Sequence, residues 1–252
     1  MTAPDCLFPG ACPVPDPNSI DQRRIRTARW PAGTRLWSTY RVRHFPSLFN
    51  DTGLGDARFS PLPATDDGPP PVLYLARNMT VSLLETAFHD VHTIAQADER
   101  TISVPRDLAP RGAIEIAAPT DLTLVDLRDD QLERHGLGRH ELVTTTAAHY
   151  RCTRQWADAL LRQIGSVLPV GVLWNSRVAE LARDDSALLG DLLRSEPAEV
   201  AMVVGHPHSP VPIGLDDWHD ADRHAHHRHL VAGTGRRLVE EVAQNLGATI
   251  VE

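Results

Sequence analysis

The chain has 252 residues, of which 42% are hydrophobic, so a substantial core can be buried and global disorder is excluded. Its formal net charge of −8 argues against a surface built mainly for nucleic acid or anionic lipid, while leaving room for a local basic pocket. Three cysteines give no disulfide framework, and neither a signal-like start nor a run of roughly 18 apolar residues is present, so a cytoplasmic protein without a membrane span is expected.

In chain order, prolines at 4, 9, 13, 15 and 17 disfavour any helix and predict a loosely ordered lead-in, taken as residues 1–30 and assigned no chemistry. The stretch 35–45 has strand character through Leu36, Thr39, Tyr40, Val42 and Phe45, and a loop bearing Gly53 and Gly55 follows. Five prolines between Pro61 and Pro71 mark a surface excursion. It ends at a strand over 72–76. Thr80 is the expected cap of a helix whose Val81, Leu84, Phe88 and Val91 form one apolar stripe, with Glu85 at its border. Further strands are predicted over 122–127, 170–174 and 199–204, an amphipathic helix over 154–164 and a closing helix over 235–246.

Three chemistries converge in the first half. Arg58 follows a glycine-bearing loop, and a guanidinium fork suits a diphosphate because it donates parallel hydrogen bonds and keeps its charge. Tyr74 offers a flat ring for a base and a hydroxyl for a ribose or phosphate oxygen. Glu85 can stabilise the oxocarbenium-like state formed when an N-glycosidic bond breaks. Taken singly, each has a blander reading: a surface arginine, a half-buried strand tyrosine, a solvated glutamate.

The joint pattern resembles the RES domain family. The segment GDARFSP at 55–61 is followed by Tyr74-Leu75-Ala76, by Glu85-Thr86 with His89-Asp90, by LVTTTAAHYRCTRQWADAL at 142–160 and by GVLWNSR at 171–177, so the resemblance covers about 33–191. It implies an α+β fold with an ADP-ribosyltransferase-like mixed sheet and flanking helices, with a catalytic part over 31–205; a His-rich segment and the closing helix, over 206–252, lie beyond the resemblance. The activity it implies consumes NAD as substrate and needs no metal: an NAD phosphorylase or glycohydrolase, with a protein ADP-ribosyltransferase as the alternative. Such proteins often act as the toxin half of a toxin–antitoxin pair, which implies an Xre-type antitoxin as partner and leaves a homodimer open, with no direct role for nucleic acid.

Residue by residue, Arg58, Tyr74, Glu85 and Ser176 match the family's arginine, tyrosine, glutamate and serine, and His89 and Arg177 match positions with less defined roles. The family's first-strand arginine falls on Ser38, about eleven residues before Phe49, so either Arg41 or Arg35 takes its place or the site has lost a charge. Arg41 is the expected replacement, although a three-residue slip on a strand reverses side-chain direction and calls for a bulge. The stretch LLGDL at 188–192 lacks a second family arginine. These departures keep a catalytically degenerate nucleotide-binding protein as a rival reading.

Other signals carry less. His219, His224, His226, His227 and His229, with Asp217, Asp220 and Asp222, lack the paired cysteines or the H-E-x-x-H helix of a zinc site and are expected to be adventitious, although a metal-handling protein is a third reading. Ser176 has no nucleophile elbow around it, and Gly233-Thr234-Gly235 lacks the lysine of a phosphate loop and is expected to start a helix.

Overall fold

The computed structural model describes residues 6, 8–19, 21, 23–44, 49–89, 91, 100–134, 136–162, 169–185, 197–205 and 227–252. The LLGDL stretch, Phe45, Asp90 and the part of the histidine cluster up to His226 lie outside the described residues.

Among the described residues nine strands form two sheets: β1 Thr27–Trp30, β2 Arg35–Arg41, β3 Val72–Ala76, β4 Thr101–Ser103, β5 Arg111–Ala117, β6 Leu122–Asp126, β7 Gly171–Asn175, β8 Glu199–Val204 and β9 Thr249–Val251. The main sheet runs β1-β6-β7-β8-β3-β2-β5, mixed, with β6 and β7 as its parallel pair; β4 and β9 make a small parallel sheet. The helices are α1 Met79–Leu84, α2 Asp129–Arg134, α3 Arg139–Leu142, α4 Tyr150–Arg162, α5 Arg177–Asp185 and α6 Gly233–Asn245. This is the expected α+β architecture, a large mixed sheet with flanking helices.

The central strands β3, β7 and β8 are apolar runs rather than alternating ones because both faces of the sheet are covered. One face gathers Val72, Val172, Trp174, Val200, Met202 and Val204 with the buried sides of α1, α4 and α6. The other gathers Leu73, Leu75, Leu173, Ala201 and Val203 with Leu36, Tyr40, Ile114, Ile116, Leu122 and Leu124. Close approach of β7 and β8 requires glycine at 171, where a Cβ would lie 2.0 Å from the Met202 carbonyl oxygen.

The N-terminal lead-in is more ordered than its prolines suggest. Val14 is fully buried in the first of these clusters, the Trp156 indole donates to the Pro15 carbonyl at 2.6 Å, and residues 27–30 are a strand of the main sheet paired with β6. Apolar burial and one satisfied carbonyl hold a segment that has few backbone donors of its own. Val239, Val242 and Ala243 of α6 and Leu246 just beyond it join the same cluster, so segments near both ends of the chain contribute to one shared core.

Three further expectations are corrected. Strand β2 stops at Arg41 and turns through a 3-10 segment, Val42–His44. The cap of α1 is Asn78 rather than Thr80: its backbone is extended and its Oδ1 accepts from the Val81 N–H at 2.8 Å. The same helix ends at Leu84, where the Thr86 hydroxyl bonds back to the Ser82 carbonyl at 2.7 Å; Phe88 and Val91 are nevertheless buried, as the stripe predicts.

Candidate active site

Strand β2 pairs with β5 over its whole length, Arg35 opposite Ala117 through Arg41 opposite Arg111, yet shares with β3 a single register pair, Trp37 opposite Ala76. At the far end of β3, Val72 exchanges both backbone hydrogen bonds with Asn50 instead. The two strands therefore part, and a cavity of about 390 Å3 opens where they do, bordered by residues 38–41 and 72–76 and by Arg58, Glu85, His89 and Tyr150. A second cavity of about 210 Å3 adjoins it, sharing Arg58, Glu85, His89 and Tyr150 and adding Arg177.

The loop carrying Arg58 turns at Gly53, whose φ of +64° favours glycine and where a Cβ would come within 2.8 Å of the Pro69 ring. Every residue of its 56–60 stretch is tied down. Asp56 pairs with Arg154, the Ala57 carbonyl accepts from Arg154 Nε at 3.0 Å, and the Arg58 carbonyl accepts from the Thr153 hydroxyl. Phe59 is fully buried edge-on to Trp174, with ring centroids 5.0 Å apart, and Ser60 Oγ lies 2.9 Å from the Tyr74 hydroxyl. Helix α4 thus grips the loop and aims the arginine.

The Arg58 guanidinium lies over the Tyr150 ring, 5.1 Å from its centroid, and its Nη1 donates to the carbonyls of Thr145 at 2.8 Å and Leu142 at 3.4 Å. Its Nε and Nη2 have no partner among the described residues and remain for a ligand. Burial pulls its pKa below the ordinary arginine range, an effect opposed by Tyr150 and Glu85 and reinforced by the like charge of Arg177. An anion in the cavity would offset the cost of that burial and screen the repulsion.

Tyr74 is half-buried, edge-on to Trp174 with centroids 6.0 Å apart, and burial pushes its hydroxyl up to about 12, so it stays a neutral hydrogen-bonding group at physiological pH. Glu85 sits at the C-terminal end of α1, which the Thr39–Ser82 hydroxyl contact of 2.8 Å ties to β2. Its Oε1 accepts from the Ser176 hydroxyl at 2.5 Å, and Oε2 has no partner among the described residues.

Ser176, which matches the family's serine, meets the site through Glu85. It is fully buried and borders neither cavity. Its oxygen accepts from the Ala179 N–H at 3.0 Å, capping α5, while its proton goes to Glu85; it positions the carboxylate.

Ser38 and Arg41 are separated by an unbulged strand. Ser38 shares the side of Leu36 and Tyr40, on the opposite face of the sheet from Tyr74, and is 1% exposed. Arg41 shares the side of Thr39, with its side chain exposed at the cavity's edge. Strand β2 carries no bulge, and Ser38 and Arg41 both border the cavity, Arg41 from the side of Thr39 and Ser38 from the side of the apolar cluster. Arg35, the other possible substitute, lies at the far end of β2 and pairs with Glu115.

His89 is half-buried between the two cavities, and Arg177 is exposed, with its Nη1 3.4 Å from the Thr144 carbonyl. Sequence reasoning missed Tyr150, Thr153, Arg154 and Arg111; the last borders the larger cavity directly across from Arg41. Of these, only the quoted stretch 142–160 contained a hint. The assembled site sets Glu85, and Asp56 paired with Arg154, among Arg41, Arg58, Arg111 and Arg177, a locally basic pocket in an acidic protein. Among the described residues no helix is long and apolar enough to cross a membrane.

Comparison with known proteins agrees with this reading at the family level. No curated protein matches the chain. A solved structure of the MbcT–MbcA toxin–antitoxin complex from M. tuberculosis aligns over 75% of this chain and 82% of its own, at 16% identity and a TM-score of 0.46, a likeness too loose to rest a function or partner on. The RES domain family matches residues 23–213, which include Arg41, Arg58, Tyr74, Glu85 and Ser176, and the chain therefore belongs to the RES domain family.

Proposed function

We propose that this chain cleaves the nicotinamide–ribose bond of NAD and passes the ADP-ribosyl group to phosphate or water. The observation that carries this reading is the Glu85 carboxylate, held on one oxygen by Ser176 and open on the other, at the junction of two cavities bordered by four arginines. Arg58, with Arg41 and Arg177 on either side, suits the diphosphate, and Tyr74 the base or ribose. When the glycosidic bond breaks, its electron pair goes to the pyridinium nitrogen, so nicotinamide leaves neutral and needs neither a general acid nor a metal. Positive charge then develops on the ribosyl carbon and its ring oxygen. A fixed carboxylate beside that charge stabilises it, and Glu85 Oε2 can also accept from a ribose hydroxyl. The acceptor oxygen next bonds to the same carbon and releases its proton. Transfer to a protein side chain is the alternative outcome of the same cation.

The degenerate-site reading draws on Ser38 and on the LLGDL stretch, and Arg41 at the border of the cavity supports the catalytic reading against it. A role as the toxin of a pair, with an Xre-type antitoxin as partner, follows from the family resemblance alone. The test is incubation of the purified protein with NAD, with and without phosphate, and mass spectrometry of every product. Free nicotinamide is expected together with ADP-ribose, or its 1″-phosphate when phosphate is present. Binding of NAD with quantitative recovery of the intact dinucleotide would overturn the enzyme reading.

A further inference from the structure

All three cysteines of the chain meet at one place, outside the cavity. Cys6 and Cys12 come from the lead-in, Cys152 from the first turn of α4, and His149 from the 3-10 turn just before it. One ligand atom from each of the four lies within 4.8 Å of all the others. Cys12 Sγ and Cys152 Sγ are 3.7 Å apart, and Cys6 Sγ and His149 Nδ1 are 3.9 Å apart.

Those separations discriminate between two chemistries. A disulfide needs sulfurs about 2.05 Å apart. A tetrahedral zinc ion with bonds of about 2.3 Å to sulfur and about 2.0 Å to nitrogen sets its ligand atoms roughly 3.5–3.8 Å from one another. The 3.7 Å between Cys12 and Cys152 matches the second, the 3.9 Å between Cys6 and His149 is close to it, and a set of four within 4.8 Å needs only small side-chain shifts to close on an ion. The donor set, three soft sulfurs and one imidazole, is the Cys3His combination of closed structural zinc sites, and thiolates at tetrahedral spacing select zinc over the harder divalent ions. The Phe8 N–H also donates to Cys6 Sγ at 3.4 Å, the kind of outer contact that steadies a metal-bound thiolate.

We propose that Cys6, Cys12, His149 and Cys152 bind one structural Zn2+ that fastens the N-terminal segment to the start of α4. The ion lies away from the NAD-cleavage chemistry, and none of its four ligands borders either cavity of the site. Its influence on that site is through α4, whose Tyr150, Thr153 and Arg154 follow the histidine by one to five residues and hold Arg58. Binding releases the thiol protons to solvent as the sulfurs become thiolates. The His-rich segment at 219–229, which offers no cysteine, is a separate matter.

The experiment uses the full chain, purified under reducing conditions without a histidine tag. Elemental analysis should find about one zinc per chain, and replacement by cobalt should give the strong visible absorption of a tetrahedral ion together with sulfur-to-cobalt charge transfer. Cys12→Ser and Cys152→Ser should each lose the charge-transfer signature and most of the zinc. If Cys152→Ser fails to fold, Cys6→Ser, at the less buried end of the cluster, should still weaken zinc retention against a competing chelator at least tenfold. A chain that neither carries zinc nor takes up cobalt with thiolate ligation overturns the proposal. So does a Cys12–Cys152 disulfide in a metal-free chain, or zinc that persists in the Cys12→Ser, Cys152→Ser double variant and leaves only on deletion of 206–226. None of these readouts depends on NAD turnover, so the two proposals fail separately.

Discussion

The two edges of β2 teach how this sheet makes room for a ligand. Along β5 the strand is paired at all seven residues; along β3 it is paired at one, and beyond that point the chain between them supplies Asn50 to close the ladder. Identical backbone, with the same twist and propensity, is rigid on one edge and open on the other. On the face toward the cavity, Trp37 stacks on His227, Thr39 meets Ser82 and Arg41 borders the cavity itself. A pocket made by withholding strand pairing keeps its walls stiff, because each wall is still held by its outer neighbour.

The sharpest way to break the comparison lies at the open edge. Glu85→Gln keeps the shape and the hydrogen bond from Ser176 but removes the charge, and should lower the rate of nicotinamide release by about a hundredfold or more with an unchanged melting temperature. Turnover equal to the parent in the folded variant would eliminate the carboxylate from the mechanism.

A smaller effect is expected from Ser176→Ala, which frees Glu85 Oε1 and removes the cap of α5. Stability should fall by about 1 kcal/mol and kcat by roughly tenfold, while KM for NAD stays near the parent value. Partial recovery in Ser176→Thr, which keeps a hydroxyl, separates positioning of the carboxylate from a general loss of packing. A rise in KM with kcat intact would instead place the serine against the substrate.

Strand β2 itself provides the third contrast. Arg41→Ala should raise KM for NAD by about tenfold, the loss of one charge-assisted contact of about 1.5 kcal/mol. Ser38→Arg should destabilise the fold by about 3 kcal/mol or more, because it drives a cation into the apolar face. Higher activity in Ser38→Arg would reverse the assignment of the two positions.

How far the sequence reveals these features depends on the kind of force behind them. Val72–Ala76 and Glu199–Val204 are legible to the residue, since a run of apolar residues bounded by proline, asparagine or glycine has few other solutions. Arg111–Ala117 is not, because its Ile114-Glu115-Ile116 alternation is short and set among glycine and alanine, and β1 is too short and polar to stand out at the sheet edge. The α1 stripe correctly identifies which side chains are buried, yet periodicity reports facing and not backbone hydrogen bonding, which fails after Leu84. Arg58, Tyr74 and Glu85 are legible through their joint spacing. The grip of Thr153 and Arg154 on the loop, and the meeting of Cys12 with Cys152, join residues roughly a hundred or more positions apart and leave no local signature.

The shared core has a practical consequence for anyone trimming the protein. The family-matched stretch begins at residue 23 and stops at 213, whereas Val14, Pro15 and the whole of α6 and β9 lie beyond it and still cover the sheet and α4. Excising 23–213 would expose the undersides of Trp156 and Leu160 to water and leave β4 without its partner strand. A piece cut to 23–213 is therefore expected to be less stable than the full chain, with a lower melting temperature.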